Sequence, residues 1–354
     1  MKHHLFSDLS TGLNFVAIGG GNGLSTLLSG LKRFVDARDT EPVWIENLAA
    51  IVAVTDDGGS SGRLRDELQM LPPGDVRNCM VALSEDSHLI SKLFRHRFRG
   101  DGHLGGHSFG NLFLAALTEM TGDFADAVKL SSEILASKGR IYPATIADVR
   151  LAAELAGGSI VRGETKISQV GNAIKRLYLE PPDCKPMPEA LAAIETANVI
   201  TIGPGSLFTS LLPPVLVEGV SDAIAQSDAV KIFVCNLMTQ PGETDGFTAR
   251  HHLEIFYDYA QQINFDYVVV NDHPISKAQQ EKYESEGAQQ IGVHGSVTPG
   301  TIEGAEIVYG NLLDDGEMVR HDPEKLAQVT MLCALQQETI TNDELRITNA
   351  TEHS

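Results

Sequence analysis

The sequence predicts an α/β fold organised around a doubly wound, mostly parallel sheet. Three observations carry that prediction. Short apolar runs, hardly interrupted by polar residues, alternate with helical patterns, as strands buried on both faces require. Three of those runs end in glycine or acidic turn clusters, and open α/β sheets hold their ligands just beyond such strand ends. The length of 354 residues suits one large α/β unit carrying an insertion, or two domains.

The first unit is the run 14–18 (NFVAI), followed by Gly19-Gly20-Gly21-Asn22-Gly23 and a helical stretch. There Leu24, Leu27, Leu28 and Leu31 recur on one face. The second is the run 49–55, which passes into Asp56-Asp57-Gly58-Gly59-Ser60-Ser61-Gly62. The third is the run 198–202, which leads into Gly203-Pro204-Gly205-Ser206 and another helical pattern. Further strands are expected from Val230, Phe265 and Ala305, about six in the core altogether.

Residues 75–197 differ in kind. Their first half reads as helices over 79–98, 111–123 and 124–136. Their second half offers two short strands, 159–165 and 174–179, of a hairpin or ribbon. The expected organisation is a single domain over 14–334, with core segments 14–74 and 198–330. A mixed helical and β-ribbon insertion of about 75–197 would stand over the sheet edge. Residues 1–13 and 335–354 read as flexible tails.

Hydrophobic residues make up 42% and charged residues 21%, which excludes a disordered or fibrous chain. Twenty-seven basic against 47 acidic side chains leave a formal charge of −20. Such a chain repels a phosphate polymer, so nucleic acid is not the expected partner. A small anion needs only local donors and is not excluded. No apolar run reaches the roughly 18–20 residues of a membrane span. The opening MKHHLFSDLSTG lacks an apolar signal core, and Cys79, Cys184, Cys235 and Cys333 show no CxxC pairing. A cytoplasmic protein without disulfides or structural zinc is expected.

Gly19–Gly23 lets the backbone approach a phosphate at a helix N-terminus. Its spacing is neither GxGxxG, since Leu24 takes the last glycine position, nor a P-loop. A hydride-transferring dehydrogenase is therefore disfavoured, and a plain tight turn is the alternative. Asp56 and Asp57, adjacent at a strand end, repel each other unless a cation or a donor-rich ligand sits there. Mg²⁺ held with ligand phosphates is the natural candidate, against plain turn chemistry. Gly58, Ser60 and Ser61 add backbone and hydroxyl donors. In LPPGDVRN, Asp75 reads as an N-cap or a proton carrier, and Arg77 and Asn78 as phosphate or sugar contacts. In GGHSFGN, His107, Ser108 and Asn111 at a helix start suit binding an anionic ligand, and His107 is a candidate for acid–base chemistry. Gly203, Gly205 and Ser206 repeat the first glycine logic, with Ser206 as a helix cap. Asn236, Thr239 and Gln240 offer hydrogen bonds to a base or sugar. No GxSxG or positioned cysteine nucleophile is visible, so covalent catalysis is unsupported.

Six strings in order, AIGGGNGLSTLLSGLK, VAVTDDGGSSGRLRDEL, LPPGDVRNCMVAL, GHSFGNLFLAAL, TIGPGSLFTSLLPPVLV and NLMTQPGETDGF, resemble the YvcK family of gluconeogenesis factors. That family lies within the wider group of 2-phospho-L-lactate transferase, or CofD-like, proteins. The resemblance covers about residues 14–330 and implies a Rossmann-like core, a cytoplasmic location and a nucleotide-type ligand. UDP-sugars such as UDP-N-acetylglucosamine are the implied ligand, and growth and cell shape on gluconeogenic carbon, through cell-wall precursor control, the implied role. A protein partner in that control and a homodimer are further expectations. Transferase relatives use a divalent metal and paired aspartates that correspond to Asp56 and Asp57 here. The strings DDGGSSGRLR and PPGDVRN follow the YvcK pattern, which favours binding over phospho-group transfer. Tyr283, which could stack on a base or sugar, and Arg320, which could pair with a diphosphate, complete the candidates.

Overall fold

The computed structural model describes residues 12–335 apart from 39, 42, 86, 170–173 and 293–299. The tails expected at 1–13 and 335–354 lie largely outside the described residues. Within them, Leu13 opens the first strand with a buried side chain, and 335 is the last described residue, in a helix that begins at 323.

Eleven described strands follow in chain order: β1 Leu13–Gly19, β2 Ile45–Val52, β3 Arg140–Pro143, β4 Arg150–Leu155, β5 Ile160–Arg162, β6 Ile174–Glu180, β7 Val199–Ile202, β8 Val230–Val234, β9 Tyr267–Asn271, β10 Thr301–Ile302 and β11 Ala305–Gly310. Eight of them form one sheet in the order β10-β11-β9-β8-β7-β1-β2-β3. Every pairing in it is parallel except β10 with β11. From β1 the chain winds outward through β2 to β3, then returns to the other side of β1 and winds outward through β7, β8, β9 and β11. The reversal falls between β1 and β7, the switch point at which open α/β sheets form a crevice beyond their strand ends.

The apolar runs are buried for the expected reason. Phe15, Val16, Ala17 and Ile18 of β1 are all shielded, because helices cover both faces of the sheet. On the helix Gly21–Leu31 the stripe of Leu24, Leu27, Leu28 and Leu31 is fully buried. Each such leucine contributes roughly 1.5–3 kcal/mol by leaving water. The cysteines are free and buried, and among the described residues no single helix is long and apolar enough to cross a membrane.

The stretch 75–197 does more than stand over the sheet edge. Its helices Gly74–Leu83, Ser87–Arg95, Phe109–Thr121 and Phe124–Ile134 pack beside the core, and β3 then enters the main sheet next to β2. The expected two-stranded ribbon is a three-stranded antiparallel sheet, β5-β4-β6. Its middle strand, β4, reads RLAAEL and was not anticipated. The strand expected at 159–165 ends at Arg162, and Glu164–Ile167 forms one helical turn.

Candidate functional site

The two glycine turns that follow β1 and β7 meet at the switch point. Gly21 has φ +63°, a left-handed conformation that glycine adopts without strain. At Gly23 a Cβ would overlap the Pro204 carbonyl, so the two turns lie against each other. Asn236, just past β8, clamps the second turn: its Oδ1 accepts from Gly205 N at 3.0 Å and its Nδ2 donates to Gly205 O at 2.7 Å.

A cleft opens around these turns as two adjoining chambers. They share Asn22, Gly23, Gly205, Ser206, Met238, Gln240 and Val319. The first, about 510 Å³, also presents Arg77, Arg95, Arg97 and Arg320, with no described carboxylate in its lining. None of these four arginines lies within 4.0 Å of a described carboxylate. In a chain of net charge −20 that concentrates unpaired positive charge at one place. The second chamber, about 620 Å³, presents Gly20, Gly21, Thr239, Tyr283, Glu164 and Glu243. The Tyr283 hydroxyl accepts from Val319 N at 3.2 Å, which fixes the ring beside the chamber.

Behind the glycine turn stands a group of carboxylates. Asp75 sits in the first turn of the helix Gly74–Leu83, and a Cβ on Gly20 would meet its Oδ2 at 2.7 Å. Burial, and then the neighbouring Asp56, push its pKa up to about 7, while the Gly21 N–H and Arg77 pull the other way. Part of its surface stays open, so it is crowded by protein atoms without being sealed. Glu164 is raised well above the ordinary carboxylate value, first by burial and then by Asp75, Asp56 and Asp57. These acids share one neighbourhood and favour a neutralising proton or cation.

Asp56 and Asp57 face different partners. Asp56 Oδ1 accepts from Gly58 N at 2.9 Å, and a Cβ on Gly74 would meet its Oδ2 at 2.5 Å. Asp57 Oδ1 accepts from Thr165 N at 2.9 Å and from Thr165 Oγ1 at 2.7 Å. Asp57 therefore ties the small sheet to the core. Among the described residues no group of three or more His, Cys, Asp or Glu side chains is placed to hold a metal.

Two capping expectations need correction. Asp75 lies inside its helix, whose N-cap is Pro73, and its carboxylate turns to the glycine loop instead. Ser206 makes no cap bond and donates to Glu243 Oε2 at 2.7 Å, because the turn after β7 enters a wide helical turn, Leu207–Leu211.

His107, Ser108, Asn111 and Ser60 form a buried network. His107 Nδ1 and Ser60 Oγ lie 2.9 Å apart, Asn111 Nδ2 donates to Ser60 Oγ at 3.1 Å, and Arg77 donates to Ser108 Oγ at 2.7 Å. Ser108, expected at a ligand, instead caps the helix that follows. Burial lowers the His107 pKa. None of these four residues lines either chamber, and the network touches the cleft through the Ser108 bond to Arg77. Nor do Gly19, Gly203, Gly58 and Ser61 line them. Ser61 is buried beside Gly74.

Sequence reasoning missed Arg95, Arg97, Glu164 and His321. The signal for the arginines was the basic run FRHRFRG in an acidic chain. His321 lines the first chamber with Nε2 unpartnered, and burial drives its pKa down to about 4 against a hydrogen bond to the Cys235 backbone. Gln240 Oε1, also unpartnered, borders both chambers. Thr239 is otherwise engaged, accepting from Gln289 N at 2.8 Å.

Comparison with known proteins places this geometry among relatives. Residues 15–313 match the family described as 2-phospho-L-lactate transferase CofD. The chain is 45% identical over 318 residues to the gluconeogenesis factor of Halalkalibacterium halodurans, covering 90% of this chain and 95% of that one. It is 42% identical over 312 residues to the gluconeogenesis factor of Bacillus subtilis, covering 88% and 95%. A crystal structure of a UPF0052-family protein from Bacillus halodurans superposes with a TM-score of 0.82 at 44% identity, covering 91% and 99%.

Proposed function

Because the chain belongs to the CofD family and, within it, to the gluconeogenesis factors, we propose that its cleft binds a UDP-sugar such as UDP-N-acetylglucosamine. The protein acts as a regulator that reads this ligand without turning it over. The observation that carries the reading is the juxtaposition of two chambers of opposite character. Glycine-turn N–H groups and four arginines free of carboxylates suit a diphosphate. The adjoining chamber, with carboxylates, hydroxyls and the Tyr283 ring, suits a polyhydroxyl sugar and a planar base. In the same proposal the protein works in the cytoplasm, and a protein partner carries the bound state into cell-wall precursor control and cell shape on gluconeogenic carbon. A homodimer is compatible with this role and supports none of it.

A second reading, a Mg²⁺-dependent phospho-group transferase, is favoured by the gathering of Asp56, Asp75 and Glu164 behind the glycine turn. Mg²⁺ held by one or two of these carboxylates and the ligand's phosphates would neutralise charge on the phosphoryl groups. Asp57 contributes less to such a site, since its Oδ1 is already engaged by Thr165. Asp75, near neutral in its pKa, would be the group able to hold or give up a proton beside Gly20 and Gly21.

Equilibrium titration with UDP-N-acetylglucosamine tests the first reading, with and without Mg²⁺. Saturable binding without any product is expected, and Arg320→Ala should weaken it about ten- to a hundredfold while leaving the melting temperature unchanged. Steady release of a phosphorylated product that stops on chelation would establish the second reading.

A further inference from the structure

We propose that the protein carries a second anion site, for a small phosphorylated molecule, in the groove between the helices Gly21–Leu31 and Ser87–Arg95. Both helices pack on the helix Gly74–Leu83, and Val81 and Ala82 floor a cavity of about 640 Å³ between them. Grooves between packed helices are normally filled by apolar side chains. One wall of this groove presents Ser25, Thr26, Ser29 and Lys32, and the other His88, Ser91, Lys92 and Arg95. His88, Lys92 and Arg95 follow a spacing of four and three, so they share one helix face. No described carboxylate lines the cavity. Neither Lys92 nor Arg95 has a described carboxylate within 4.0 Å.

The placement of Lys32 adds a second argument. It is half-buried, and its Nζ donates to the Ser84 carbonyl at 3.0 Å, where the helix Gly74–Leu83 ends. That bond holds the ammonium at the groove instead of letting it trail into solvent. Burial and the nearby Arg33 lower its pKa, as for a cation kept without a counter-ion. Ser25 and Thr26 spend their hydroxyl protons on the Asn22 carbonyl, but the Lys92 ammonium, the remaining Lys32 donors, the Arg95 guanidinium and the Ser29 and Ser91 hydroxyls match the acceptor-only oxygens of a phosphoryl group. The volume is that of a small-molecule site. Only Ser25, Thr26 and Arg95 also border the first chamber of the cleft. The two sites are neighbours with one arginine between them, and the groove takes its own ligand.

The test is isothermal titration of inorganic pyrophosphate into the full chain at fixed ionic strength, with and without saturating UDP-N-acetylglucosamine. One equivalent of pyrophosphate should still bind when the sugar nucleotide is present. Lys92→Glu, an exposed position, should weaken that retained binding about tenfold and leave UDP-sugar affinity within twofold, with Lys92→Gln intermediate. Complete competition between the two ligands would overturn the proposal, and so would a Lys92→Glu protein that binds pyrophosphate like the wild type. If the UDP-sugar does not bind at all, the proposed function fails, and a Lys92-dependent pyrophosphate site still upholds this inference.

Discussion

The arginine side of the cleft and its carboxylate side are assembled in different ways. Arg77, Arg95 and Arg97 come from the helical stretch after β2, and Arg320 from the loop after β11. They meet near the glycine turns with no carboxylate partner. The carboxylates instead come in layers: Glu164, carried in on the turn after β5 of the small sheet, lines the second chamber, while Asp56 and Asp75 from the core stand behind the glycine turn and line neither. One side stores positive charge that a ligand can neutralise. The other stores negative charge that the protein itself partly neutralises by raising pKa values. Under the proposed function, this contrast is what would send a ligand's phosphates to the first chamber and its neutral, hydroxyl-rich part to the second.

The comparison breaks most completely at Gly23, which serves both sides. Gly23→Val would drive a branched side chain into the Pro204 carbonyl. The expected cost is about 3–5 kcal/mol in urea unfolding, with ligand binding lost from both chambers.

A smaller change sharpens the carboxylate side alone. The Asp75 pKa is raised from 3.8 to about 7, so the folded chain holds this proton more tightly than the unfolded chain does. The group's contribution to stability is therefore complete below pH 4 and is lost as the pH climbs to 7. Asp75→Asn removes that loss. Relative to wild type it should be roughly 1–3 kcal/mol more stable at pH 8 and equal at pH 4, a range discounted because the group is partly open to solvent. Equal stability at both pH values would show that Asp75 ionises normally.

The smallest effect is expected where the small sheet joins the core. Asp57→Ala removes the two bonds to Thr165, at a cost of about 1–2 kcal/mol. Amide exchange should rise in Gly163–Ile167, while UDP-sugar affinity moves less than at Arg320. A larger loss of affinity than at Arg320 would return Asp57 to the ligand shell.

Much of this was legible in the residues. The strands at the centre of the sheet announced themselves because burial on both faces demands unbroken apolar runs, as in FVAI and YVVV. Strand β3, RIYP, has four residues and a proline, and only its pairing with β2 defines it. Strand β4, RLAAEL, is rich in good helix formers, and its pairing with β6 overrides that preference. The glycine turns were visible because local backbone demands are written locally. Glu164 was not, since a small sheet folded elsewhere delivers it. The pair Asp56 and Asp57 looked like one unit, yet the chain turns the two carboxylates to unrelated partners.

The reversal of winding between β1 and β7 also orders events during synthesis. A nascent chain that has emerged only as far as β6 already owns the first glycine turn but lacks the wall against which Gly23 rests. The cleft is complete only when the later half-sheet docks, so a chain cut short there would lack one of its two glycine walls however well its early helices had formed.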